Sequence, residues 1–227
     1  MVPLRDDNPT QLTPIVNYGL IAVNVVVFIH EISLSRPQLE QFLYTWALVP
    51  KTLTLNFSGE WIKLFTSQFL HAGFLHVGFN MLFLWIFGNN IEDQLGHIKY
   101  LIFYLTCGAL AALTQWFFSS HSGIPSLGAS GAIAGVLGAY ILRFPQARVL
   151  TLIPLGIFIT VLRIPAFFFL GWWFFEQAIS GYASLNVRTN IGMAGGGVAY
   201  WAHIGGFLSG VILGPLLGLF SSNSSRG

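Results

Sequence analysis

The sequence predicts an all-α polytopic membrane protein, a bundle of six transmembrane helices with a partly embedded first loop. Composition carries the first part of that expectation: 54% of the 227 residues are hydrophobic and 8% are charged, against about a quarter charged in soluble domains. Mean hydropathy is +0.69. Apolar runs recur along the chain at the length of about 20 residues that a membrane-crossing helix requires. The net charge of +2 includes no basic cluster, so nucleic acid is not expected as a partner. A single cysteine, Cys107, excludes an internal disulfide.

Residues 1–14 and 221–227 read as short polar tails around one membrane domain, residues 15–220. Met1–Thr13 lacks the charged start, apolar core and small-residue cleavage site of a secretory signal, so the first apolar segment is expected to be retained. Ile15–Ser33 is the first span, with Asn17 and Asn24 as polar interior groups. Leu34–Gln68 breaks the pattern with Pro37, Pro50, Gly59 and scattered charges, yet holds Trp46, Trp61 and Phe65, as a half-buried interfacial segment does. The second span, about Phe69–Ile91, carries His71, His76 and Asn80 in its first half. After the turn Glu92–Lys99 come a third span, about Tyr100–Phe118, the polar loop Ser119–Leu127 and a short fourth span, Ala129–Phe144. Thr151–Leu162 is apolar but bracketed by Arg148 and Arg163 and interrupted by Pro154 and Gly156; it is too short to cross and reads as an interfacial excursion. The fifth span, about Ile164–Tyr182, is dense in Phe and Trp. Ala183–Gly197 is a glycine-rich loop suited to a lid, and the sixth span is about Val198–Phe220.

Six spans put both termini on one side. Loops on that side hold Arg5, Lys99, Arg143, Arg148, Arg163 and Arg226, against Arg36, Lys51, Lys63 and Arg188 opposite, a six-to-four vote for cytoplasmic termini. With that parity His71, His76, Asn80, Ser130 and His203 all fall near the outer ends of their helices. The convergence holds only if Thr151–Leu162 does not cross.

Ser130 stands between Gly128 and Gly131 at the expected start of a helix, where free backbone N–H groups favour a negative oxygen. Gly131, Gly135 and Gly138 follow it, and His203 shares a helix with Gly206, Gly210, Gly214 and Gly218, stripes that let backbones approach closely. If those helices pack through their glycines, the histidine can take the serine proton. Spacing alone favours the plainer reading, helix-packing residues that never touch. His76 and Asn80 lie at i, i+4 on one helical face, two donors of the kind an oxyanion needs, or simple interhelical hydrogen bonds. His71, His76 and His203 supply enough nitrogens for a metal, but no carboxylate or cysteine lies near them in sequence, and no metal or other cofactor is expected. No acidic residue stands ready to orient His203, so a nucleophile–base pair here is a dyad. Glu92 reads as an interfacial or interhelical partner, and Glu176 has no assigned role.

His71-Ala-Gly-Phe-Leu-His76-Val-Gly-Phe-Asn80, Gly128-Ala-Ser130-Gly131 and Ala202-His203-Ile-Gly-Gly206 with Gly210 resemble, in order, the three signatures of the rhomboid intramembrane serine proteases. The resemblance covers about Ile15–Phe220. It implies Ser130 as nucleophile, His203 as general base and acid, and His76, Asn80 and the Ser130 backbone N–H as the oxyanion hole. His71 matches a further signature histidine with a structural or water-organising role, and Gly206 the glycine at which the serine and histidine helices touch. Two departures stand out. Trp61-Ile62-Lys63 replaces a Trp-Arg pair, keeping the charge without the planar fork, and Ala134 occupies a position where some members stack an aromatic ring on the histidine.

The expected activity is hydrolysis of membrane-protein substrates in or beside their transmembrane segments within the bilayer, with lateral entry gated by the fifth helix and Ala183–Gly197. A catalytically silent rhomboid-like binder of membrane clients is the alternative. A transporter or channel is disfavoured because the polar groups cluster at one depth. The lack of an arginine-rich leader favours a bacterial inner membrane.

Overall fold

The computed structural model describes residues 1–156, 158–186 and 198–221. Its first helix, α1 (Ile15–Ser33), is followed by four short helices of the first loop: α2 (Arg36–Trp46), α3 (Pro50–Leu55), α4 (Phe57–Glu60) and α5 (Lys63–Thr66). The second span is α6 (Phe74–Phe83), continued through a π-helical turn at Leu84–Gly88 into α7 (Asn89–Leu95). Then come α8 (His97–Ser119), α9 (Ser130–Arg143), α10 (Ala166–Asn186) and α11 (Tyr200–Leu217). Ile15–Ser33, Phe74–Leu95, His97–Ser119 and Tyr200–Leu217 are long and apolar enough to cross a membrane, and α9 is a shorter apolar helix. The chain is a mostly helical polytopic membrane protein. Of the expected lid, Ala183–Asn186 closes α10, and residues 187–197 lie outside the described residues, as do 222–227 of the C-terminal tail.

Helix α9 is the centre of the bundle. Every residue from Gly131 to Tyr140 is buried, which only a helix walled by protein on all sides tolerates, so its short length needs no match to the hydrocarbon thickness. It packs on α11 along the two glycine stripes. A Cβ built on Gly206 would collide with the carbonyl of Gly131, and one on Gly210 with the carbonyl of Gly135. The backbones are therefore in contact, as small residues at membrane helix interfaces permit.

Two segments depart from expectation. Residues 1–14 are not a free polar tail: β1 (Val2–Asp6) pairs antiparallel with β2 (Arg148–Leu155), with a bulge between Pro3 and Arg5. Asp6 accepts hydrogen bonds from Tyr140 Oη at 2.5 Å and Asn90 Nδ2 at 2.9 Å, and Asp93 Oδ1 accepts the backbone N–H groups of Gln11 and Leu12. The excursion Arg148–Arg163 does not cross, but it is a β-hairpin. β2 pairs with β3 (Phe158–Pro165), giving a three-stranded sheet of order β1-β2-β3.

Polar pairing also locks the end of the bundle next to that sheet. The buried carboxylate of Glu92 accepts the N–H groups of Val16 and Asn17 at the start of α1, at 3.0 and 2.7 Å, and lies 2.5 Å from His97 Nδ1. Of the interfacial and interhelical roles open to Glu92, the contacts are interhelical, and they place the carboxylate at a helix N-terminus. In the first loop, buried Lys63 reaches the Tyr44 carbonyl at 2.9 Å and Glu60 at 2.6 Å, contacts that a point charge satisfies without a guanidinium fork.

Candidate active site

Ser130 is the first residue of α9, His203 lies in the first turn of α11, and His76 in the first turn of α6. All three helices start on one side of the bundle; for α11 this follows because the β2–β3 hairpin returns the chain to the side it left before α10. Gly128 adopts φ +125°, a backbone state that L side chains rarely take, and its N–H donates to the Ser67 carbonyl at 2.9 Å. The turn before the serine is thereby tied to the first loop.

Ser130 Oγ lies 2.8 Å from His203 Nε2 across 73 positions of sequence. His203 is 8% exposed. Its other ring nitrogen, Nδ1, lies 2.7 Å from Oε1 of Gln177 on α10. An amide oxygen only accepts, so Nδ1 carries the proton and Nε2 presents a lone pair to the hydroxyl. A hydroxyl so placed can pass its proton to the imidazole as it attacks a carbonyl carbon. Trp173, also on α10, covers the ring at 5.7 Å between centroids, with 34° between planes. Ala134 instead sits against the Gly206 contact, 3.2 Å from a Cβ built there.

His76 faces the serine turn. A Cβ built on Gly128 falls 2.8 Å from His76 Nε2 and 3.7 Å from Ser130 Oγ. Asn80, one turn further along α6, is buried, and its Nδ2 has no hydrogen-bond partner among the described residues. An uncommitted buried donor is costly to keep, and here it is available to a bound group. No hydrogen bond joins His71 to Ser130 or His203 among the described residues. The His71 ring sits edge-on to His76 with centroids 5.1 Å apart. Among the described residues no group of three metal-ligating side chains occurs.

Sequence reasoning passed over three residues near this site. Glu176 was the conspicuous polar group on the fifth span, yet it accepts a hydrogen bond from Trp172 Nε1 on its own helix. Its neighbour Gln177, rotated by about 100°, is the one that faces inward. Trp173 was hidden among the other aromatic residues of α10. Glu31, near the end of α1, is 2% exposed and accepts the His71 backbone N–H with both oxygens at 3.2 Å. The signal available for Gln177 and Glu31 was simply a polar side chain within an apolar span.

Helical bundle, embedded first loop and polar cluster at one end together describe an integral membrane protein with a site between its helices. A Rhomboid domain family model matches residues 58–220, and the chain belongs to the rhomboid family. It is 33% identical over 207 residues to Rhomboid protease GluP of Bacillus subtilis, covering 91% of this chain and 35% of that protein. It is 30% identical over 202 residues to Rhomboid protein 1, mitochondrial, of Saccharomyces cerevisiae, covering 87% and 51%. The human presenilin-associated rhomboid-like protein, mitochondrial, is 31% identical over 172 residues, covering 70% and 43%. The chain thus spans between a third and about half of the length of these relatives.

Proposed function

We propose that this chain is an intramembrane serine endopeptidase that hydrolyses peptide bonds in or near the transmembrane segments of membrane-protein substrates. The observation that carries the reading is the 2.8 Å contact between Ser130 Oγ and His203 Nε2. Ser130 attacks the scissile carbonyl as His203 takes its proton, and His203 then gives that proton to the leaving amine. The negative oxygen of the tetrahedral intermediate is held by His76 Nε2–H, Asn80 Nδ2 and the Ser130 backbone N–H at the start of α9. Water, activated by the same histidine, releases the acyl group. A small cleft beside Ser130, whose lining includes Ser67, Gln68 and Ser126, supports a route for that water.

Gly128, Gly131, Gly206 and Gly210 serve this chemistry by shaping the serine turn and letting α9 and α11 touch, and His71 supports His76. Residues 15–220 form the protease domain, the termini are cytoplasmic, and the host membrane is a bacterial inner membrane. The six-to-four distribution of basic residues and the 33% identity to a Bacillus subtilis rhomboid protease support that placement. Substrates enter laterally past α10, whose outer stripe Phe168, Trp172, Phe175, Ile179 and Tyr182 is exposed. Cleavage that survives cross-linking of α10 to α6 counts against this gate.

The test is cleavage of a single-span substrate in detergent by wild type, Ser130→Ala and His203→Ala, with labelling by a serine-directed fluorophosphonate. Loss of both signals in Ser130→Ala and impairment in His203→Ala are expected. Continued cleavage by Ser130→Ala removes Ser130 as the nucleophile, and no cleavage by wild type across several substrates replaces the protease by a silent client-binding protein.

A further inference from the structure

Glu31 lies outside the nucleophile, base and oxyanion set, yet its buried carboxylate sits at the end of α1 nearest the site. We infer that Glu31 is a positioning residue for the oxyanion hole, acting through two consecutive backbone amides to orient the donor nitrogen of His76; the inference rests on the protease reading above.

Both oxygens of Glu31 accept the N–H of His71 at 3.2 Å. The next amide, Ala72 N–H, donates to His76 Nδ1 over 3.4 Å. A neutral imidazole has one donor and one acceptor nitrogen. With Nδ1 accepting, the ring proton sits on Nε2, the nitrogen 2.8 Å from a Cβ built on Gly128 in the serine turn. Rotation of the His71–Ala72 segment breaks the contact to Nδ1 and frees the ring to take the other tautomer, which points a lone pair at the developing oxyanion. Glu31 is the anchor against that rotation: it is the side chain that holds the His71 amide, and it comes from a different helix, 40 positions away. Phe28, one turn earlier on α1, packs edge-on against Phe74 at 5.1 Å, so α1 grips the start of α6 on both sides of the segment.

The experiment uses the full chain in detergent with a single-span substrate. Glu31→Leu removes the acceptor; Glu31→Gln keeps a carbonyl oxygen in its place. Loss of one oxyanion donor costs about 100- to 1,000-fold in kcat, so misorienting it in Glu31→Leu is expected to cost at least about tenfold in kcat with little change in KM, and Glu31→Gln to recover most of it. In a His76→Ala background Glu31→Leu is expected to add no further loss, because the route to the oxyanion is already gone. Nitrogen NMR of histidine-labelled protein, with the His76 signals assigned by their absence in His76→Ala, is expected to show Nε2 protonated in wild type and a mixture of tautomers in Glu31→Leu. Should Glu31→Leu fail to fold, Glu31→Asp, one methylene short of the amide, carries the same comparisons. Unchanged kcat, an equal loss in the His76→Ala background, or unchanged His76 ring signals each overturns the inference. The ring signals need no turnover, so a wild type that cleaves nothing removes the protease reading while still deciding what Glu31 does to His76.

Discussion

Replacing Gln177 by Leu removes the oxygen 2.7 Å from His203 Nδ1 while keeping the volume of the side chain. His203 is 8% exposed, so water cannot readily take that oxygen's place. The lost hydrogen bond is worth about 0.5–1.5 kcal/mol, and a buried N–H left without a partner costs about 1–3 kcal/mol. Part of that cost is relieved as the ring turns or changes tautomer, which spoils the lone pair aimed at Ser130. A loss of about 1.4–2.8 kcal/mol is therefore expected, or ten- to a hundredfold in kcat/KM. It stays well below the ~10,000-fold penalty for disabling the carboxylate of a full catalytic triad, because a neutral amide gives the imidazolium little charge stabilisation to lose. Steady-state cleavage and the rate of fluorophosphonate labelling should fall together, with KM little changed, and Gln177→Glu, which keeps an acceptor, should fall less. A Gln177→Leu variant within twofold of wild type in both assays refutes the reasoning and leaves ring packing as what holds His203.

Trp173→Ala removes that packing; an aromatic contact worth about 0.5–1.5 kcal/mol translates into a loss of about two- to tenfold in cleavage rate. Gly210→Val forces a side chain into the Gly135 carbonyl, and the overpacking cost of about 1–3 kcal/mol should appear as a lower Tm together with loss of cleavage, since α9 and α11 carry Ser130 and His203. Glu92→Leu leaves the Val16 and Asn17 amides without their acceptor and should lower stability by about 2–5 kcal/mol in thermal unfolding, with cleavage at low temperature retained. Asp6 provides a pH dependence. Burial, partly offset by the bonds from Tyr140 and Asn90, raises its pKa above the ordinary 3.8. A raised folded-state pKa means the stability is fully present below 3.8 and is lost as pH rises through the raised value. Asp6→Asn should flatten that part of the Tm-versus-pH curve, and an unchanged slope counts against the assignment.

The helices were legible because a membrane imposes one rule on every span, a long apolar run with satisfied backbone. Ile15–Ser33 is matched residue for residue by α1. The sheet was not legible for reasons of length. β1 is five residues long, too short for alternation to stand out from a polar tail, and its docking depends on Tyr140 and Asn90, distant in sequence. The hairpin did carry a signal. Pro154 and Gly156 punctuate two runs containing Thr151, Ile153, Ile159, Thr160 and Val161, the β-branched pattern with a turn between that marks paired strands. Hydropathy, which correctly kept the segment from being a span, says nothing about strand pairing.

The site was legible to the extent that its residues are rare in an apolar chain. Ser130, His76, Asn80 and His203 could each be named, but their meeting required α9 and α11 to pack through glycines, a contact between residues 73 apart that spacing alone did not favour. What went unseen is what orients those residues. Gln177 and Trp173 of α10 contact His203 of α11, and Glu31 of α1 holds the His71 amide just before α6, and no sequence motif singles any of the three out. A contrast within the bundle explains why polarity alone could not sort them. At the sheet end, Glu92, Asn17 and Tyr100 bind one another's helices, with Tyr100 Oη donating to Asn17 Oδ1 at 2.7 Å and Asn17 Nδ2 to the Leu84 carbonyl at 3.0 Å. At the serine end, Asn80 Nδ2 is buried without a partner among the described residues. Both sets read alike as polar residues in apolar spans; whether the donors are already committed separates a group that holds helices together from one free to bind a developing charge. That distinction belongs to the packed structure, and it points to Asn80 rather than Asn17 as the amide through which substitution should alter chemistry before it alters stability.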